Sequence, residues 1–235
     1  MKLALMQPYF FPYLGYFSLI RDADEFIFFD TVQYMRKGWG NRNRILHPKG
    51  GANYITVPIK KAPRQTAIRD IHVDHTADWS KDILAKLETY KKKAPHYQEV
   101  VALIRECFDK PSELLSALNI HSTVLTCEYI GLPLKSQVWG EMSVAIDEVT
   151  APDEWGLNVT KALGFDAYTN PHGGTEFFDR EKYAQEGIDL TFVKNRLTPY
   201  SQRRDSFEPG LSIIDVLMFC SPEETRVLID DYELL

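Results

Sequence analysis

The chain opens on Lys2-Leu3-Ala4-Leu5-Met6, runs through Gln7-Pro8-Tyr9-Phe10-Phe11-Pro12-Tyr13-Leu14-Gly15-Tyr16, and returns at Glu25-Phe26-Ile27-Phe28-Phe29. Lys2 to Met6 reads as a first strand. Pro8 and Pro12 fix φ and forbid a regular helix across them, so Gln7 to Pro12 is a tight connection. Leu14 to Arg21 then predicts a helix whose Leu14, Phe17, Leu19 and Ile20 face a sheet, while Asp22 to Asp24 are solvated. Phe26 to Phe29 is an unbroken apolar run and predicts a buried, parallel return strand. A short βαβ unit therefore starts the chain and sets the fold class as α/β with a mostly parallel sheet.

Working outward, Tyr54 to Ile59 alternates as a strand, with Pro58 marking an edge or an end. Lys60 to Arg64 is basic, carries a proline and reads as a flexible loop, and Ile68 to Val73 as another strand. Asp78 is a suitable N-cap for a helix from Trp79 to about Lys92, with Ile83, Leu84, Leu87 and Tyr90 on its buried face. Further helices are expected over His96 to Phe108 and Ser112 to Gly131, the glycine taking the left-handed position at the helix end. The segment 78–135 is thus helical and can form a subdomain inside a single α/β domain over residues 1–235. Asp153 to Leu163 predicts a helix, Ala167-Tyr168 a strand, Asn170 to Gly174 a turn, and Leu190 to Val193 a late strand. Leu211 to Phe219 and Glu223 to Tyr232 read as closing helices, with Ser212 or Ser221 as caps.

With 235 residues, 44% of them hydrophobic and 12% aromatic, the chain can bury a large core. Its net charge of −6 argues against broad attraction to nucleic acid or anionic lipid, so an anionic ligand must be caught by a local cluster. Cys107, Cys127 and Cys220 are far apart and odd in number, which fits a reducing cytoplasm better than a disulfide framework. The N-terminal apolar stretch is broken by Gln7, Pro8 and Pro12 and lacks a cleavage site, so no signal peptide is expected. No apolar run reaches the roughly 18 residues that a membrane span needs.

The local cluster is Asp30-Thr31-Val32-Gln33-Tyr34-Met35-Arg36-Lys37-Gly38-Trp39-Gly40-Asn41-Arg42-Asn43-Arg44. Asp30 follows a strand, at the edge where open α/β sheets place ligands. Guanidinium forks fit phosphate or carboxylate oxygens, and the Trp39 indole offers a face on which a base or sugar can stack. The alternative is a solvated basic loop.

Gln7 to Tyr16, Asp30-x-x-Gln33-Tyr34 with Trp39-x-Asn41-Arg42-Asn43-Arg44, and Leu211-Ser212-Ile213-Ile214-Asp215-Val216-Leu217 together resemble the WbqC-like protein family over nearly the whole chain. The resemblance implies a component of surface-polysaccharide and modified-sugar biosynthesis, O-antigen among them. The chain departs from the family pattern at Asp82, where a histidine is expected, so that helix is given no histidine-based role. A more distant similarity is to the phosphate-binding opening of nucleotidylyltransferase-like folds, whose signature is His-x-Gly-His after the first strand. Tyr13 and Tyr16 stand at the histidine positions, and Gly15 would still let the backbone approach a phosphate at the helix N-terminus. A phenol with a pKa of about 10 cannot supply an imidazolium, so charge stabilisation would pass to Arg42, Arg44 or a metal. The alternative is an aromatic packing corner.

Asp30 and His172 are the candidates for proton transfer, His172 in Asn170-Pro171-His172-Gly173-Gly174, whose glycines permit close approach of a ligand. Candidate ligand contacts are Gln7, Tyr13, Gly15, Tyr16, Gln33, Tyr34, Trp39, Asn41, Arg42, Asn43 and Arg44. His72 and His75 point to opposite faces at strand spacing and are assigned no metal. Cys127 with His121 lies in an apolar helix and reads as a buried thiol. Ser212 and Asp215 have the spacing of a helix cap. The function expected is acyl or aminoacyl transfer to a nucleotide-linked amino sugar, with Arg42 and Arg44 on the diphosphate, Trp39 or Tyr34 stacking, and Gln33, Asn41 and Asn43 on hydroxyls. The acyl donor and any cofactor are not legible. The rival expectations are nucleotidyl transfer or ATP-dependent ligation, and a noncatalytic glycan- or phosphate-binding subunit.

Overall fold

A computed structural model describes residues 1–110 and 112–235. In chain order the strands are β1 (Lys2–Met6), β2 (Glu25–Phe28), β3 (Arg42–Leu46), β4 (Ala52–Thr56), β5 (Ser136–Val138), β6 (Ala167–Pro171), β7 (Asp189–Asn195) and β8 (Tyr232–Leu234). The helices are α1 (Leu14–Asp22), α2 (Trp79–Leu87), α3 (Tyr97–Asp109), α4 (Leu115–Ile130), α5 (Glu154–Ala162), α6 (Arg180–Gln185), α7 (Ile213–Phe219) and α8 (Pro222–Asp230). Six strands form one sheet in the order β5-β2-β1-β6-β7-β8, parallel throughout except for β8 at the edge. The fold is mixed α/β with a mostly parallel sheet, as the opening residues predict.

Period-two alternation divides the core. Leu3 and Leu5, Ile27, Tyr168, Leu190 and Phe192 point to one face, where Leu157 and Val159 of α5 and Tyr183 of α6 cover them. Ala4, Phe26, Phe28 and Val193 point to the other, under α1, α8 and the middle helices, in a core that reaches Ile83, Val100 and Leu115. Burial on both faces is why these strands read as apolar runs. The strand order reverses between β1 and β6, so the loops leaving their carboxyl ends diverge and open a crevice above them.

β3 and β4 stand apart from this sheet as an antiparallel ribbon. Pro58, with no N–H to donate, follows the end of β4. Ile68 to Val73 is not the strand its composition predicts. It is a short 3-10 turn over Ile68–Asp70 followed by single bridges from Val73 to Ile59 and His72 to Leu114, because Ile68, Ile71 and Val73 are buried by different neighbours instead of alternating over one face. Tyr232 likewise leaves α8 and starts β8, paired with Asn195. Three caps form as expected: Asp78 accepts from Lys81 N, Ser221 and Glu224 form a capping box, and Gly131 ends α4 at φ 67°. At α7 Ser212 Oγ accepts from Ile214 N, but Asp215 completes no capping box, because its carboxyl is taken by Tyr90, Tyr200 and Gln202.

Candidate functional site

The turn after β1 is built from three distant segments. Phe11 sits at φ 39°, an unfavourable conformation for a residue with a side chain, and its carbonyl accepts from Asn43 Nδ2 at 2.7 Å and Ser212 Oγ at 2.7 Å. Asn43 Nδ2 also donates to Phe10 O, and Asn119 Nδ2 donates to Pro8 O at 2.9 Å and Gly40 O at 2.7 Å. Ile213 N donates to Pro12 O and Ser212 N to Arg44 O. The opening turn, the 38–44 segment and the start of α7, which carry the sequence motifs, therefore meet at one place. Asn43 and Ser212 serve there as internal ties.

Around this knot lies an aromatic cleft of about 250 Å³, walled by Tyr9, Pro12, Tyr13 and Trp39, with Asn43 and Gly210 completing it. Trp39 is 41% exposed, a large amount for an indole, and the Arg44 guanidinium lies 5.9 Å from its ring centre. Arg44 donates to Gly210 O at 3.2 Å, which holds the guanidinium beside the cleft. Burial pushes the Tyr9 and Tyr13 phenols above their ordinary pKa, so both stay neutral hydrogen-bonding groups. Tyr16 is enclosed, its hydroxyl donating to Gln7 O at 2.9 Å. Gly15 has a packing role: a Cβ there would fall 2.5 Å from Tyr13 Oη, because the Tyr13 ring lies across it.

On the other side of the same segment is a cationic cleft of about 630 Å³. Tyr34 and Asn41 form its polar floor, Tyr34 Oη donating to Asn41 Oδ1 at 2.7 Å and Asn41 Nδ2 to Val57 O at 2.8 Å. Arg36, Lys37, Arg42, Lys60 and Lys61 line it. Arg42 packs 4.6 Å above the Tyr54 ring centre and donates to the carbonyls of Lys37 and Gly38. The two clefts share no lining residue: Arg42 lines the cationic one, while Arg44, its neighbour on one face of β3, lines neither and lies against Trp39, with Glu208 3.9 Å from its guanidinium.

The candidates for proton transfer are separated. Asp30 is 5% exposed and accepts from Gly140 N at 2.8 Å, so its carboxylate turns toward the β5 side of β2. His172 is exposed just beyond β6, on the opposite side of β1. Strand spacing puts their backbones roughly 10 Å apart across the sheet. Gln33 is exposed, its backbone bridged to Ala67. Cys127 is buried, its thiol pushed up to about 12 by desolvation. Among the described residues no group of three or more His, Cys, Asp or Glu side chains is placed to hold a metal ion, and no helix is long and apolar enough to cross a membrane.

The profile of the WbqC-like protein family matches residues 7–227, nearly the whole chain. The chain belongs to that family. It is also 30% identical over 219 residues to the uncharacterized protein Rv1507c of Mycobacterium tuberculosis, covering 92% of each chain. No solved structure matches it. Of the residues on which the WbqC-like resemblance rests, Tyr9, Pro12, Tyr13, Trp39, Asn43 and Ser212 build the knot and the aromatic cleft, whereas Tyr34, Asn41 and Arg42 line the cationic one. Among the cleft residues outside the candidates expected from sequence are Tyr9, Gly210, and Lys60 and Lys61 of the expected flexible loop; Asn119 of the knot is another, and its position and that of Gly210 follow only from tertiary packing. The charge of Lys60-Lys61 near a proline, and for Tyr9 its place in the opening aromatic stretch, were the local signals available.

Proposed function

We propose that this WbqC-like protein binds a nucleotide-linked amino sugar and transfers an acyl or aminoacyl group to its amine, in surface-polysaccharide or modified-sugar biosynthesis. The observation that carries the reading is the aromatic cleft: Tyr9, Tyr13 and an exposed Trp39 offer flat faces for a base or sugar, and Arg44 stands beside them for a phosphate oxygen. Neutral phenols add hydrogen bonds without repelling an anion. His172, exposed at the crevice above β1 and β6, is the group proposed to take the proton from the amine as its nitrogen attacks the acyl carbonyl of an activated donor such as a thioester, whose carbon–sulfur bond breaks to release the thiol. Asp30 is proposed to act at a distance, holding the end of β2 to Gly140. Nucleotidyl transfer at the opening turn is the weaker reading, since Tyr13 covers Gly15 and the Tyr16 hydroxyl is engaged by Gln7.

The test is calorimetry with a uridine-diphosphate amino sugar, followed by mass spectrometry of the sugar after incubation with acyl donors. Trp39→Ala and Arg44→Ala are each expected to weaken binding about tenfold or more, since a stacked base or a charge-assisted bond contributes roughly 1–3 kcal/mol. An acylated sugar whose formation is lost in His172→Ala supports the transferase. Binding without turnover under every donor leaves a noncatalytic binding subunit, and no binding overturns the proposal.

A further inference from the structure

We propose that the cationic cleft is a second ligand site, taking the pyrophosphate group of a small molecule distinct from the one in the aromatic cleft. This goes beyond the nucleotide-sugar reading and does not depend on it. Arg36, Lys37, Arg42, Lys60 and Lys61 line the cleft, and no carboxylate lines it, in a chain whose net charge is −6. Among the described residues only Lys60 has an ion-pair partner, Glu113 at 4.0 Å, and the other four have none. Five like charges gathered in one concavity repel one another, and a bound polyanion is what relieves that repulsion.

The cleft is also organised to receive such a ligand. Arg36 Nη2 donates to Ala62 O at 2.8 Å and so latches the 59–63 segment, with its two lysines, against the 36–42 segment. Arg42 is fixed by the Lys37 and Gly38 carbonyls and by the Tyr54 ring, so its guanidinium is oriented before a ligand arrives. The volume of about 630 Å³ suits a nucleotide-sized molecule. Overall negative charge, with five cations gathered in one concavity, favours a small polyphosphate over a nucleic acid, which needs an extended basic surface. Two phosphates matched to several cations spread over two segments is the chemistry of a pyrophosphate linkage, found in nucleoside di- and triphosphates and in coenzyme A.

Titration calorimetry with inorganic pyrophosphate, ATP and coenzyme A tests this on the whole chain. Wild type is expected to show saturable single-site binding of pyrophosphate that weakens as salt rises. Lys60→Ala/Lys61→Ala, both surface residues whose loss leaves the core intact, should weaken it about tenfold or more. Lys91→Ala/Lys92→Ala removes equal charge from an exposed stretch outside the cleft and should leave it unchanged. Tighter binding of ATP or of coenzyme A than of pyrophosphate names the source. Absence of saturable binding, or an equal loss in the control pair, overturns the site. A saturating uridine-diphosphate amino sugar that displaces pyrophosphate overturns its separateness, whereas failure of that sugar to bind, with pyrophosphate binding intact, counts only against the proposed function.

Discussion

Removing the Asn43 carboxamide leaves the carbonyl of Phe10 and the N–H of Arg44 without partners inside a buried turn, and leaves the Phe11 carbonyl with Ser212 Oγ alone. Asn43→Ala is expected to cost roughly 2–4 kcal/mol in urea unfolding, because the unsatisfied groups bear the full desolvation penalty. Asn43→Asp should be worse at neutral pH despite its matching size: a carboxylate oxygen would face the two carbonyls where an amide now donates. Wild-type stability in Asn43→Asp would show that the turn is held by its apolar packing and not by this side chain. The sequence placed Asn43 among the ligand contacts because an amide beside arginines suits a sugar hydroxyl. Which way that amide points is set by residues some 30 positions upstream, and nothing local records it.

At the start of α1 the same contrast between local code and tertiary placement decides what can be tested. Gly15→Ala adds a methyl where Tyr13 Oη and two ring carbons lie at 2.5–2.6 Å, so the flexible phenol must swing aside, toward the aromatic cleft it walls. Since alanine also suits a helix better by up to about 1 kcal/mol, overall stability should stay within about 1 kcal/mol of wild type. The thermal stabilisation given by a uridine-diphosphate amino sugar should shrink; an undiminished shift would place that ligand elsewhere. β1, α1 and β2 were legible because their signals are local: two prolines, an apolar run, and side chains alternating between faces. β5 was not, since Ser136 to Val138 owes its strand state to pairing with Phe26 to Phe28. Ile68 to Val73 misled for the complementary reason, apolar residues buried singly by partners that the sequence does not show. The aromatic and arginine side chains of the site could be read, but the division into two clefts could not, because Lys60, Lys61 and Gly210 arrive from other segments.

Across the whole molecule, Asp215 joins elements that local order keeps apart. Fully buried in α7, its carboxyl accepts from Tyr90 Oη at 2.7 Å, Tyr200 Oη at 2.5 Å and Gln202 Nε2 at 2.9 Å, while Tyr90 Oη in turn accepts from Leu46 N of β3. The knot thereby fixes the 198–210 segment, whose Gly210 walls the aromatic cleft. Burial pushes the carboxyl up to about 6, outweighing those three donors and the nearby Arg204. An unfolded aspartate titrates near about 3.9, so between about pH 4 and 6 the folded chain binds the extra proton. Its contribution to stability is therefore full below that window, is lost as pH rises through it, and is constant above; two pKa units correspond to roughly 3 kcal/mol. Asp215→Asn lacks this titration, so the stability of wild type minus that of the variant should fall as pH rises from 4.5 to 7 and then level. Urea unfolding of both proteins across that range checks it. A difference that instead grows with pH would mean that the tyrosine and glutamine donors outweigh burial and hold the carboxylate ionised, making the knot an anion site closed by the fold itself.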